Sequence, residues 1–154
     1  MIIQIDTREH KFELARIQRQ IERQGVKTIN SKLYVGDYQS LDNPRLVIDR
    51  KQDLQEICGN VCQQHERFQK ELMRARDAGI QIIILCEHGG DIKCLEDVYF
   101  WDNPRRKYSQ KATTGSSLYK SLCTIRQEYG VDIRFCNRKD TGREIIKILG
   151  GSNE

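Results

Sequence analysis

The chain has 154 residues, a net charge of +4, 38% apolar residues and 31% charged ones. That length suits one domain with a sizeable core, expected over residues 1–150. No apolar run approaches the ~18 residues of a membrane span, and Met1-Ile2-Ile3-Gln4-Ile5-Asp6 lacks the parts of a signal peptide, so the expected location is the cytoplasm.

The elements follow from periodicity. Ile2 to Asp6 reads as a buried strand ending in an acid. Glu9 to Gln24 has helical spacing, with Leu14, Ile17 and Ile21 on one stripe, and Gly25 stops it. Val26 to Val35 is expected as a strand broken at Gly36-Asp37. After a turn at Asp42-Asn43-Pro44, Leu46 to Lys51 forms the next strand. Leu54 to Cys58 is a short helix interrupted at Gly59-Asn60, and Glu66 to Asp77 a longer one with Phe68, Leu72 and Ala75 inward.

Ile80 to Cys86 is the most apolar run and predicts a central strand. His88-Gly89-Gly90 turns the chain, and Ile92 to Phe100 has no clear period. Residues 103–117 predict a flexible basic loop carrying Arg105, Arg106, Lys107 and Lys111, closed by an N-cap at Ser116 or Ser117. Leu118 to Tyr129 is a helix, Val131 to Cys136 a strand, and Asp140 caps a final helix containing Ile145, Ile146, Ile148 and Leu149. The alternation implies an α/β fold, a central mixed β-sheet flanked by helices.

Charge is uneven along the chain. Residues 1–102 carry 15 basic and 17 acidic side chains, residues 103–154 carry 11 and 5. Six cysteines occur without a secretory context, which disfavours disulfides. Cys58, Cys62 and His65 share one side of a helical projection, but their spacing matches no common zinc finger.

The chemistry concentrates at strand ends. Asp49 and Lys51 share one strand face and Arg50 takes the other, because side chains alternate. With Asp6, Glu9 and Asp37 they can form a divalent-cation site that hydrolyses a phosphodiester. Lys51 can orient or deprotonate the attacking water, or neutralise charge on the phosphate.

These motifs also occur in order. Asp6-Thr7-Arg8-Glu9, Gly36-Asp37-Tyr38, Asp49-Arg50-Lys51, Arg67-Phe68-Gln69 and Ile82-Ile83-Ile84-Leu85-Cys86-Glu87 span most of the chain. In this the chain resembles the nuclease domain of the XPF-type structure-specific endonucleases, a branch of the PD-(D/E)xK superfamily with a restriction-endonuclease-like fold. The family's Glu-Arg-Lys is Asp49-Arg50-Lys51 here, one methylene shorter. An acid four residues past the lysine in relatives has only Asp53, two past it, as a counterpart.

The resemblance implies a magnesium- or manganese-dependent endonuclease acting on branched or flapped DNA in repair, recombination or phage DNA processing. It implies Asp37, Asp49 and Lys51 as the metal and water centre, with Asp6 supporting the metal. Arg8, Glu9, Arg50 and Arg67 would position phosphate or the other site residues, and the loop arginines and lysines would add DNA contacts. It implies a homodimer, with the helices Leu118 to Tyr129 and the one ending at Leu149 as candidate interfaces. These residues hold no counterpart of the relatives' tandem helix-hairpin-helix module or helicase domain, so either broader specificity or a separate DNA-recognition partner is expected. The alternatives are a non-catalytic nuclease-fold subunit, a Holliday-junction resolvase, or a restriction-like nuclease.

Overall fold

Strand Asn43–Lys51 organises the molecule, because its last residues are buried on both faces at once. A computed structural model describes residues 1–8, 11–63 and 65–150. In chain order the elements are β1 (Ile2–Ile5), α1 (Lys11–Arg23), β2 (Lys27–Asn30), β3 (Tyr38–Ser40) and β4 (Asn43–Lys51). Then come α2 (Leu54–Cys58), α3 (His65–Asp77), β5 (Gln81–Cys86), α4 (Leu95–Val98), α5 (Gly115–Tyr129), β6 (Asp132–Phe135) and α6 (Thr141–Leu149). The strands form one six-stranded sheet in the order β2-β1-β3-β4-β5-β6. β3 runs antiparallel to both β1 and β4, and the pairs β1–β2, β4–β5 and β5–β6 are parallel, so the sheet is mixed as expected.

Two cores lie on opposite faces. Val47, Ile82, Ile84 and Cys86 meet Leu54, Phe68, Leu72, Leu118 and Leu122 from α2, α3 and α5. Ile3, Ile5, Tyr38, Ile48, Ile83 and Leu85 meet Ile17, Ile21, Ile145 and Leu149 from α1 and α6. The apolar stripe of α6 thus packs inside the chain.

Several boundaries differ from the sequence reading. The expected strand Val26 to Val35 pairs only over Lys27–Asn30. Beyond it, the Leu33 N–H donates to the Asp6 carboxylate at 2.9 Å instead of to a strand partner. The short, polar β3 carries too little pattern to be read from sequence. β4 starts at Asn43 and runs through Pro44, which a strand's first residues tolerate. Residues 103–117 contain a 3₁₀ turn at Pro104–Lys107, and α5 opens at Gly115 with Thr114 as its cap, not Ser116 or Ser117. Asn103 is buried and ties this segment down: it receives Gln55 Nε2 at 2.6 Å and donates to the Thr113 carbonyl at 2.8 Å.

A charged network joins α1, β4, β5 and α6 behind the sheet. Glu87 accepts from Arg50 and from the Thr141 hydroxyl, and pairs with Arg16 at 2.6 Å. Arg16 also pairs with Glu13 at 2.6 Å, and Glu13 with Arg138 at 2.9 Å. Burial pushes the Glu13 carboxyl up, but the hydrogen bond from Arg16 and the charges of Arg16, Arg138 and Arg50 outweigh it and leave its pKa lowered. Removing one member of a buried pair strands the others. Glu87→Ala should therefore lower unfolding free energy by about 3–5 kcal/mol in urea titration. The Glu13 contribution is fully present above the ordinary carboxylate range and is lost as pH falls through its lowered folded value, so urea midpoints should drop below about pH 4.

Gly36 sits at φ +79°, and an added Cβ would lie 2.9 Å from Val47 Cγ2. Gly25 has a similar φ of +81° with nothing within 4 Å of an added Cβ. Gly36→Ala should cost more than about 1 kcal/mol and exceed the cost of Gly25→Ala in the same thermal melt.

Candidate active site

Parity along the strands decides what reaches the site. Ile3, Ile5, Tyr38 and Ile48 point into the α1–α6 core. Their alternation sends Asp6, Asp37, Asp49 and Lys51 to the α3 face. Backbone bonds draw these strand ends together: Asp6 N–H donates to the Asp37 carbonyl at 2.8 Å, and Asp37 N–H to the Ile48 carbonyl at 2.8 Å. The result is a cavity of about 250 Å³ lined by Asp6, Asp37, Asp49, Glu71, Arg8, Arg67, Arg74, Gly36, Tyr34 and Val35.

The acids have different jobs. Asp6 is buried and both its oxygens are occupied, one by the Leu33 N–H and the other by Arg8 Nε at 2.8 Å and Arg8 N–H at 3.3 Å. It shapes the turn and orients Arg8. Asp37 Oδ2 accepts the Arg50 N–H at 2.8 Å. Asp49 differs: its Oδ2 is buried without a hydrogen bond. Lys51 Nζ lies 3.3 Å from that oxygen, close enough for charge attraction but not aligned as a donor. Glu9 lies outside the described residues.

Lys51 is itself buried, with its ammonium 5.4 Å from the centre of the Phe68 ring. Burial presses its pKa down, but the surrounding carboxylates, Asp49 foremost and then Glu56, Asp37 and Glu71, leave it above the ordinary lysine value. The group is an ammonium here. The Glu71 carboxyl is held above the ordinary carboxylate value, by burial first and the Asp49 charge second.

Arg50 corrects its expected role. Its guanidinium is on the opposite face, buried and paired with Glu87, so it braces the sheet and does not reach a phosphate from this cavity. Asp53 likewise serves as the N-cap of α2, accepting the Glu56 N–H at 2.9 Å. His88 Nδ1 accepts the Leu54 N–H at 3.3 Å, and burial lowers its pKa, so it is a structural turn histidine. Cys58 is buried, with its thiol pushed up to about 11 by burial.

The basic loop is not part of the acid cavity. Arg105 and Lys111 line a separate depression with Cys58 and Cys62. Arg106 donates to the Ala112 carbonyl at 2.8 Å, which folds the loop on itself. Lys107 and Tyr108 are exposed. Around the acids the positive rim comes from elsewhere: Arg8, Arg67 and Arg74.

Two charged lining residues were missed by the sequence reading, Glu71 and Arg74. Gln69, singled out there with Arg67, donates to the Tyr129 hydroxyl at 3.1 Å and faces α5. The missed signal was spacing: Arg67, Glu71 and Arg74 fall at i, i+4 and i+7 on α3, one stripe beside the apolar Phe68, Leu72 and Ala75.

Among the described residues, no three acids, histidines or cysteines stand close enough to ligate one metal ion directly. Magnesium keeps several waters and needs only one or two carboxylates. The orphaned Asp49 oxygen, buried at the edge of an acid-lined cavity, fits that kind of ion.

A search among curated protein sequences gave no match. Among solved structures the chain is similar to XPF from Aeropyrum pernix, with TM-score 0.68 and 19% identity over 100% of this chain and 62% of that one. A structure of the same protein in complex with DNA gives TM-score 0.68 and 21% identity over 97% of this chain and 63% of that one. The chain thus spans less than two thirds of the length of those chains, and the likeness establishes the fold. The family model described as the ERCC4 domain matches residues 5–149, and with the ordered motifs and the six-stranded mixed sheet this places the chain in the ERCC4 domain family of XPF-type nuclease domains.

Proposed function

We propose that the chain is a divalent-metal-dependent endonuclease that hydrolyses phosphodiester bonds in branched or flapped DNA. The observation that carries this reading is the Asp49 carboxylate: buried, with one oxygen accepting no hydrogen bond, beside the buried ammonium of Lys51. The Lys51 ammonium offsets this charge without hydrogen-bonding the oxygen, which leaves the oxygen able to take a further cation. The DNA reading rests on the ring of Arg8, Arg67 and Arg74 around the acid floor, a charge order that suits a phosphate approaching a cation.

Asp49 and Asp37 would hold magnesium or manganese, which supplies Lewis acidity and an activated water when bound. Lys51 holds positive charge 3.3 Å from Asp49, where it can stabilise charge building on the phosphate. Asp6 fixes Arg8, whose Nη2 also donates to the Leu33 carbonyl at 3.0 Å, so the rim arginine is anchored to the turn that carries Gly36 and Asp37. Arg67 and Arg74 extend from α3 and engage the flanking phosphates. The same reading carries a homodimer, a cytoplasmic location, a separate DNA-recognition partner, and a place in repair, recombination or phage DNA processing. The exposed Lys107 and Tyr108 would give a second, weaker DNA contact.

Labelled flap, fork, four-way and plain duplex substrates test this directly. Flap or fork cleavage should require magnesium or manganese and stop with EDTA. Asp49→Asn and Lys51→Ala should each reduce it about 100-fold or more while leaving the far-ultraviolet spectrum unchanged. DNA binding without cleavage in either metal would mark a non-catalytic subunit, symmetric cutting of four-way junctions a resolvase, and sequence-dependent duplex cutting a restriction-like enzyme. In binding titrations, Arg67→Ala and Arg74→Ala should each lower the slope of log K against log salt by about 1.

A further inference from the structure

The side chain that α3 turns toward the acids is Glu71, and nothing in the nuclease motifs assigns it a task. It lines the same cavity as Asp6, Asp37 and Asp49. It shares this cavity with Gly36, in the turn before Asp37. Arg67 and Arg74 lie one helical turn away on either side, yet among the described residues neither forms a direct ion pair with it. A half-buried carboxylate so placed is held short of the obvious partners on its own helix.

The strand acids leave room for it. Asp6 is occupied by Leu33 and Arg8, and Asp37 commits Oδ2 to the Arg50 N–H. Asp49 Oδ2, on a residue 5% exposed, is the buried oxygen without a hydrogen bond at this cavity. An ion drawn to it would meet the sheet on one side and α3 on the other, and Glu71 is the carboxylate that α3 supplies.

We propose that Glu71 is a further residue of the cation site: a helix-borne carboxylate in the outer sphere of the divalent ion that Asp49 holds. This rests on the nuclease reading above. It makes the centre a joint product of sheet and helix, with Glu71 added to Asp37 and Asp49.

Manganese binding to the full chain without DNA, followed by calorimetry and by loss of the free-ion electron paramagnetic resonance signal, tests this apart from catalysis. Glu71→Gln keeps the size of the side chain and removes the charge. It should weaken manganese binding about 10- to 100-fold, the effect typical of outer-shell partners, with an unchanged thermal melt. Glu66→Gln, an exposed acid on the same helix, should bind as wild type. Should Glu71→Gln fail to fold, Glu71→Asp takes its place, and weakened binding is again the expected result. Wild-type affinity in the folded Glu71 variant, with binding lost in Asp49→Asn, overturns this inference and leaves the nuclease reading standing. Absence of manganese binding by the wild-type chain overturns both.

Discussion

The two-residue alternation of β4 is the constraint on which the rest depends. Val47, Asp49 and Lys51 point to one face of the sheet, Ile48 and Arg50 to the other, and all five are buried. A slip of one residue would drive Arg50 into the acid cavity and Asp49 into the α1–α6 core. Parallel pairing with β5 sets the register, Asp49 opposite Ile84 and Lys51 opposite Cys86. Glu87, just past that strand, then catches Arg50 from behind. The ion pair on one face thereby holds the pair of opposite charge on the other.

That arrangement explains why a costly buried charge cluster persists. The Arg50–Glu87 contact is extended by Arg16, Glu13 and Arg138, so every buried charge behind the sheet has a partner. In front of it the balance is incomplete. Asp49 and Lys51 form an ion pair at 3.3 Å, but the Asp49 oxygen accepts no hydrogen bond. The difference is physical: groups behind the sheet are closed off by α1 and α6, whereas the front opens through the arginine rim to solvent. A fully satisfied network rigidifies, and here it does so directly beneath the half-satisfied one that can accept a ligand.

Much of this was legible from residue order. The alternation of Asp49, Arg50 and Lys51 is a property of any strand, and the structure places them on the faces it predicts. The long apolar run before Glu87 announced the central strand because only a strand covered on both faces can be apolar throughout. Other features left no such trace. β3 has three residues and two of them are polar, so no period could mark it. The segment from Leu33 to Val35 read as the end of a strand from its apolar residues, but Leu33 and Val35 are buried beside a turn tied to Asp6. Gln69 and Glu71 differ by two positions on a helix, which is enough to send one to Tyr129 and the other to the acids.

Sequence by itself determined the family, the alternating layers, and the acids and lysine that end the strands, since these depend on local period and ordered motifs. Tertiary structure alone decided which of those groups share a space. Asp6 became a turn anchor and Arg50 a brace behind the sheet, while Arg74 and Glu71 joined the cavity from a helix distant in the chain. Partnership between charges depends on distances across the fold, and neither spacing nor periodicity encodes those distances.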